Sequence, residues 1–301
     1  MANPAQVVHF HRHGYAILPG VLNSAEIGFL KDDCDQLFNH CSLEKDIVTD
    51  MGCIIEPFSS GLVDIEPHDW ELLKENSDIF RRIRADMGSE CVPDILLDKM
   101  AKLAADFLPI SSEIYLLNEQ YIIKPPYKGP GTQFAWHKDS EYLPSELWSE
   151  PTVSCWVALD DVHKDNGTLI LDPYPTSTDH SGTSLSLDEY IEHHTRADSS
   201  YPPSQVGSSL LTEPTRKPIV SIPAGSVVIM SGWVRHCSLA NRSSHLRRCW
   251  MPQYASRRLT HKRPPNEKGV TKFLRTSDTE EPLGGRGSTK PTLFEESFHL
   301  N

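Results

Sequence analysis

The spacing of hydrophobic residues changes once along the chain, near residue 110. Between Trp70 and Leu108 apolar side chains recur at helical intervals, and Asn23 or Ser24 is a suitable N-cap for an earlier helix running to about Phe38. Beyond residue 113 the period falls to two, which is typical of β-strands. The predicted strands are His13–Leu18 and, after residue 113, Glu113–Lys124, Thr152–Leu159, Thr168–Leu171, Pro218–Ile222, Ser226–Met230 and Leu246–Gln253.

Helices followed by many short strands predict one domain over residues 1–301, an all-β barrel or sandwich with an N-terminal helical layer. We expect the helical layer at about residues 20–110, the β core at about 113–255 and an irregular tail at 256–301. Residues 172–217 are polar and rich in Ser, Thr, Pro and His, which predicts a long excursion from the core with one helix near Leu187–His194.

Composition and charge narrow the class of protein. The hydrophobic fraction of 38% is enough for a core, and the net charge is −12. A negative chain does not attract phosphate backbones or anionic lipids, so neither nucleic-acid nor membrane partners are expected. No apolar run reaches the roughly 18–20 residues of a membrane span, and no signal-like segment opens the chain. The seven cysteines form no C-x-x-C pair, which predicts reduced core residues in a cytoplasmic protein.

One short motif contains candidate metal ligands. His137 and Asp139 are two residues apart on an extended segment, so their side chains point to the same side. His236 follows the predicted strand Ser226–Met230 and a turn. Two imidazoles and one carboxylate form the facial triad that favours Fe(II) and leaves coordination positions open, although zinc also accepts these ligands. The alternative is a surface His and Asp on a loop.

Histidines near the N-terminus offer a second, weaker metal candidate. His9, His11 and His13 alternate along the chain and could line one side of an extended segment. The simpler interpretation is that they are half-exposed residues of an N-terminal strand, which we favour.

Arg247 predicts an anion site. It lies on a largely apolar predicted strand, and a buried guanidinium needs a carboxylate or phosphate partner. No Asp or Glu stands out nearby in the sequence, so the partner is a candidate ligand carboxylate, which the planar fork of Arg can bind bidentately. The alternatives are a structural ion pair or an exposed strand residue. If Arg247 faces inward, the adjacent Arg248 faces outward.

Four ordered segments resemble the phytanoyl-CoA dioxygenase family of Fe(II)/2-oxoglutarate oxygenases, and the resemblance covers roughly residues 8–255. Phe10–Leu22 is similar to the opening F-x-x-x-G-y-x-x-l-p-g-v-l of the family, and Ile122–Pro126 is similar to its strand and loop before the metal motif. Ser154–Leu169 is similar to A-W-x-A-L followed by N-G-x-L. His236–Arg247 matches the spacing of H-x-S-x-x-N-x-x-x-x-x-R. One departure is Asp172–Pro175, where the family shows Pro-Gly-Ser-His, so the rim there is expected to differ.

The resemblance implies a double-stranded β-helix (a cupin-like jelly roll) with Fe(II), 2-oxoglutarate and O2 as cofactors. It implies His137, Asp139 and His236 as iron ligands and Arg247 as the residue that holds the distal carboxylate of 2-oxoglutarate. Further contacts to the cosubstrate are expected from Ser238, Gln120 and Trp156.

The expected activity is oxidation of a small organic or natural-product substrate of secondary metabolism, with release of succinate and CO2. Hydroxylation is the default outcome, and desaturation, epoxidation and cyclisation are close variants. An acyl-CoA hydroxylase is the alternative within the family, and a catalytically silent cupin-like ligand-binding protein is the alternative outside it. The oligomeric state stays open, a homodimer included.

Overall fold

The helical layer forms the N-terminal part of the chain. The structure, a computed structural model, describes residues 1–44, 53–66, 68–69, 76–111, 113–126, 133–174, 217–259 and 274–275. Its main helices are α1 (Pro4–His13), α2 (Ser24–Glu44), α3 (Ser77–Asp86) and α4 (Ala101–Ala105), the last continuing a π-helical segment, Asp94–Met100.

Side-chain caps explain where these helices begin. Asn23 accepts a hydrogen bond from the Glu26 amide at 3.0 Å, and the Glu26 carboxylate accepts one from the Asn23 amide at 2.8 Å. This is a reciprocal capping box, so the predicted cap at Asn23 is confirmed. Asn3 and Gln6 form the same arrangement at the start of α1, with Pro4 as the first helical residue.

The capping box of Asn3 also overturns one prediction. His9, His11 and His13 lie on helix α1 and not on an N-terminal strand. The rings of His9 and His13 are 4.4 Å apart, as expected for residues four apart on a helix. The alternation was misleading because a Pro at the first helical position and a capping box outweigh a short period-two pattern.

Two antiparallel sheets form the β core. The strands are β1 (Tyr15–Leu18), β2 (Cys53–Ile55), β3 (Tyr115–Lys124), β4 (Phe134–His137), β5 (Thr152–Ala158), β6 (Leu169–Asp172), β7 (Val227–Ser231), β8 (Arg235–Ser238), β9 (Arg247–Ala255) and β10 (Leu274–Arg275). In the larger sheet the strand order is β1-β7-β5-β9-β3-β10, with β2 also paired to β3, and in the smaller sheet it is β4-β8-β6. This confirms the predicted jelly roll.

Most predicted strands are present, but the predicted strand Pro218–Ile222 is wrong. That segment makes only isolated bridges, from Ile219 to Ile170 and from Ile222 to Val162. Its hydrophobic alternation buries Val220 and Ile222 in the second hydrophobic cluster and leaves Ile219 exposed, without a continuous ladder. The predicted helix near Leu187–His194 and most of the tail at 256–301 lie outside the described residues, and the single-domain assignment stays a prediction.

The two faces of the large sheet bury different partners. On β5, Val153, Cys155 and Val157 belong to the main core with the inner face of α2. Trp156, between them, points to the opposite face and packs in a second cluster with Leu169 of the small sheet. The period-two prediction for this strand is therefore confirmed, and the second cluster defines the space between the sheets.

A buried polar network ties the helical layer to the large sheet. Arg84 of α3 is 0% exposed, and its Nη2 donates to Asp33 at 2.7 Å and to Glu119 at 3.3 Å. Trp250 donates from Nε1 to the same Glu119 carboxylate at 3.0 Å. Because both carboxylates are buried, the guanidinium supplies the charge that makes their burial tolerable.

The cysteines and the hydropathy of the helices can also be compared with the sequence analysis. All seven cysteines are free, and six of them are buried, as the sequence predicted. Among the described residues, no helix is both long enough and apolar enough to serve as a membrane span.

Candidate active site

Three candidate metal ligands meet where β4 pairs with β8. His137 ends β4 and lies opposite His236 of β8 in the antiparallel register. Asp139 opens the 3-10 turn that follows β4. Its Oδ1 atom lies 3.9 Å from Nε2 of His137 and 3.6 Å from Nε2 of His236, and all three ligand atoms lie within 4.8 Å of one another. The structure therefore brings the three predicted side chains together.

Backbone hydrogen bonds leave the Nε2 atom of each imidazole available. Nδ1 of His137 lies 2.8 Å from the carbonyl oxygen of Ala135, and Nδ1 of His236 lies 3.1 Å from that of Val234. A ring that donates through Nδ1 presents the lone pair of Nε2 to a metal. Burial and the neighbouring His236 lower the pKa of His137, which favours the neutral imidazole that metal binding requires.

The carboxylate of the triad is oriented from the opposite sheet. Asp139 is buried, and its Oδ2 atom accepts a hydrogen bond from the Ser154 hydroxyl of β5. Gln253 of β9 donates in turn from Nε2 to Ser154 Oγ at 2.9 Å. Because the Ser154 hydroxyl has a single proton and donates it to Oδ2 of Asp139, the Gln253 amide must donate to Ser154. The other carboxylate oxygen, Oδ1, faces the rings of His137 and His236. Two neutral imidazoles and one monodentate carboxylate fit Fe(II) with open positions.

The triad lines a pocket between the two sheets that encloses about 540 Å³, including the part open to solvent. Every residue that the sequence analysis assigned to the site lies in its lining, namely His137, Asp139, His236, Gln120 of β3, Trp156 of β5, Ser238 of β8 and Arg247 of β9. The rest of the lining is largely apolar and consists of Ile54, Ile122, Phe134, Tyr142, Leu169, Cys237 and Met251.

Arg247 faces this pocket as a buried cation. It is 1% exposed, its Nη1 donates to the Ile122 carbonyl at 3.3 Å, and its buried Nε has no hydrogen-bond partner among the described residues. Burial lowers the pKa of this guanidinium. The Trp156 ring lies beneath it, 5.6 Å from Cζ to the ring centroid. An anion bound in the pocket would supply the missing partner.

The neighbouring Arg248 has the opposite orientation. Its Nη2 and Nη1 atoms donate to Asp160 at 2.8 Å and to Asp35 of α2 at 2.7 Å, on the helical side of the sheet. The predicted contrast between the two arginines is therefore found in the structure.

The sequence analysis missed Ile54 of the pocket lining and three buried residues that contact or neighbour that lining. Ser154 and Gln253 orient the carboxylate, Lys124 is buried beside Arg247, and Ile54 comes from the short strand β2. A signal existed for the first three, because each shares a strand face with an assigned residue at a spacing of two or a multiple of two. No such signal existed for Ile54, since a strand of three residues is too short to show a period.

A double-sheet jelly roll with a His-x-Asp triad completed by a distant His, and a buried Arg in the same pocket, defines a non-heme Fe(II)/2-oxoglutarate oxygenase. The family model "Phytanoyl-CoA dioxygenase (PhyH)" matches residues 10–249, and the chain belongs to this family. It is an Fe(II)/2-oxoglutarate-dependent dioxygenase. The cofactors Fe(II), 2-oxoglutarate and O2 are those of the family, and His137, Asp139 and His236 could hold the iron.

Solved structures of low sequence identity share the fold. The non-heme alpha-ketoglutarate-dependent carbocyclase SnoK from nogalamycin biosynthesis is 14% identical, with 88% of each chain covered and a TM-score of 0.56. The epimerase SnoN, in complex with Fe3+, alpha-ketoglutarate and nogalamycin RO, is 17% identical, with 96% of this chain and 98% of that chain covered and a TM-score of 0.55.

The third structure is EctD from S. alaskensis with 2-oxoglutarate and 5-hydroxyectoine. It is 18% identical, with 86% of this chain and 78% of that chain covered and a TM-score of 0.52. No curated protein matches the chain by sequence.

Proposed function

We propose that this dioxygenase oxidises a small organic or natural-product molecule, by hydroxylation or a related desaturation, epoxidation or cyclisation. The observation that carries the proposal is the joint placement of the triad and Arg247 in one pocket between the sheets. When bound, the iron together with 2-oxoglutarate and O2 supplies the oxidising equivalents, and succinate and CO2 are released.

Residues of both sheets contribute to the proposed binding of iron and 2-oxoglutarate. His137, Asp139 and His236 would hold the iron through two imidazole nitrogens and one carboxylate oxygen. Arg247 binds the distal carboxylate of 2-oxoglutarate, since its fork is buried and lacks a carboxylate partner among the described residues. Ser238 supports the same carboxylate. Gln120 and Trp156 line the same pocket and would contact the cosubstrate there.

The rest of the pocket supports a compact, mainly apolar substrate. Ile54, Phe134, Leu169 and Met251 supply apolar walls, and the Tyr142 ring packs against the ring of His137. Apolar walls bury the substrate and exclude water from the reacting centre.

Charge weighs against a coenzyme A thioester. The chain carries a net charge of −12, and a CoA phosphate would favour a basic rim. Two proteins of similar fold support a small-molecule substrate, since SnoN was solved in complex with nogalamycin RO and EctD with 5-hydroxyectoine.

The test begins with the cofactors. Anaerobic Fe(II) and 2-oxoglutarate should give a weak visible charge-transfer band, and His137→Ala should abolish it. Succinate release is then measured with O2 across a panel of small natural products and acyl-CoA thioesters. Turnover with the thioesters alone would reverse the substrate assignment. Tight stoichiometric zinc and no band with iron would contradict the oxygenase proposal, and a band without substrate-stimulated succinate would favour the silent binding protein.

A further inference from the structure

Two buried basic residues lie side by side on the large sheet, and one of them, Arg247, lines the pocket. Lys124 of β3 and Arg247 of β9 are direct partners in the antiparallel register, and their exposed fractions are 0% and 1%. Like charges directly opposite each other on neighbouring strands are destabilising. Within the described part of the chain, no carboxylate hydrogen-bonds or forms an ion pair with either cation. An uncompensated buried pair of this kind fits a site whose anion arrives with a ligand.

Contacts on all sides fix the Lys124 side chain. Its Nζ atom donates to Ser238 Oγ at 2.7 Å and to the Leu239 carbonyl oxygen, and lies 5.0 Å from the centre of the Phe134 ring. Its aliphatic stem runs under Gly167, where a Cβ atom would lie 2.7 Å from Lys124 Cδ. Gly167 also has a φ of +89°, so both the backbone and the lysine stem require glycine there.

The hydrogen bond to Ser238 has a directional consequence. In its protonated form the Lys124 side chain can only donate, so Ser238 Oγ then accepts from Lys124 and directs its own proton elsewhere. Ser238 lines the pocket beside Arg247. We propose that Lys124 is a positioning residue for 2-oxoglutarate, which turns the Ser238 hydroxyl proton toward the distal carboxylate and adds a second positive charge beneath it. This inference rests on the proposed role of Arg247 in binding that carboxylate.

The electrostatics of the ligand-free site agree with this role. Burial, and then the charge of Arg247, hold the pKa of Lys124 well below its ordinary value. A bound dicarboxylate would offset both effects, because its distal group brings negative charge to the two cations. Lys124 contacts the cosubstrate only through Ser238, so it is not a catalytic residue.

The test compares two keto acids that differ only at the distal end. 2-Oxopentanoate has the keto acid group of 2-oxoglutarate but ends in a methyl group in place of the distal carboxylate. Each is titrated anaerobically into the Fe(II) protein, and the dissociation constant is read from the charge-transfer band. Lys124→Met keeps the stem under Gly167 and removes the charge. We expect it to weaken 2-oxoglutarate about 10- to 100-fold and 2-oxopentanoate less than about 3-fold.

The comparison separates positioning from a structural role. If Lys124→Met weakens both keto acids equally, or neither, the inference is overturned. Lys99→Met is the matched control, because it removes a lysine charge that is paired with Glu26 in the helical layer. It should leave both dissociation constants unchanged. If Lys124→Met fails to fold, Lys124→Gln carries the same comparison, since it keeps a donor and loses the charge. It should give a smaller selective loss, and an equal loss for both acids again overturns the inference.

Two further variants separate this inference from the function on which it rests. Arg247→Leu should weaken 2-oxoglutarate selectively. If it does not, the proposed cosubstrate orientation fails, whereas a selective effect of Arg247→Leu with none for Lys124→Met removes only the role of Lys124. Ser238→Ala combined with Lys124→Met should cost less than the sum of the two single losses, because both act through one hydroxyl. Additive losses would exclude action through Ser238.

Discussion

Replacement of Arg247 by leucine separates ligand binding from folding stability. In the ligand-free protein the guanidinium is buried, its Nε is unpartnered among the described residues, and the like charge of Lys124 lies directly opposite. Exchange of buried charges for apolar side chains of similar volume is often neutral or stabilising. We therefore expect Arg247→Leu to leave the melting temperature of the ligand-free protein unchanged or to raise it.

The same substitution should greatly weaken the cosubstrate. It removes a charge-assisted bidentate contact and leaves the distal carboxylate of 2-oxoglutarate without its main partner. Truncation of one member of such a buried pair costs about 2–5 kcal/mol, which corresponds to roughly 30-fold to several-thousand-fold in the dissociation constant. Arg247→Lys should recover only part of this loss, because an ammonium lacks the planar fork.

The assay is anaerobic titration of the Fe(II) protein with 2-oxoglutarate, accompanied by thermal unfolding without ligand. Iron binding itself should survive, because Arg247 is not one of the triad residues. Arg248→Ala is the matched control on the other face of β9. It breaks the contacts to Asp160 and Asp35, so it should lower stability and leave cosubstrate affinity unchanged. If Arg248→Ala weakens 2-oxoglutarate while Arg247→Leu does not, the assignment of the anion site is refuted.

Three other substitutions probe separate parts of the molecule. His236→Ala should abolish Fe(II) binding in a metal titration and keep the circular dichroism of the wild type, and retained stoichiometric iron would contradict the triad. Ser154→Ala should lower iron affinity about 10- to 100-fold, because the Asp139 carboxylate loses the donor that orients it; an unchanged affinity in the same titration would show that this donor is dispensable. Arg84→Met should cost about 3–5 kcal/mol in urea unfolding, since it strands two buried carboxylates, and a loss below about 1 kcal/mol would argue against the network.

The parts of the site that the sequence could predict are those set by local periodicity. His137 and Asp139 are two positions apart with extended backbone at Lys138 between them, and Trp156 alternates with the core residues of β5, so their orientations followed from the period of two in extended backbone. The position of Arg247 relative to Arg248 followed in the same way. These predictions needed no knowledge of how the strands are arranged in the sheets.

What the sequence could not predict depends on non-local pairing. His236 was named from its place after a predicted strand and from the family motif, but local periodicity could not show that it meets His137. It lies on β8, a strand of four residues with no apolar alternation, which joins a different sheet from the strand before it. Lys124 ends a predicted strand and gave no sign that it would lie opposite Arg247, because that pairing depends on the register of β3 with β9. The strand prediction for His9, His11 and His13 was wrong for the opposite reason, since the local capping signal at the start of α1 outweighed the alternation of these histidines.

The site depends on the packing of one sheet against the other. The triad belongs to the small sheet and the turn after β4, whereas Arg247 lies on the large sheet. The distance between a bound metal and the cation for the distal carboxylate is therefore set by the separation of the sheets. Hydrogen bonds from Ser154 to Asp139 and from Lys124 to Ser238 are among the contacts that bridge that separation. Each joins a polar group of the large sheet to a pocket residue on the side of the small sheet. The contacts that orient Asp139 and Ser238 therefore also fix the position of one sheet relative to the other.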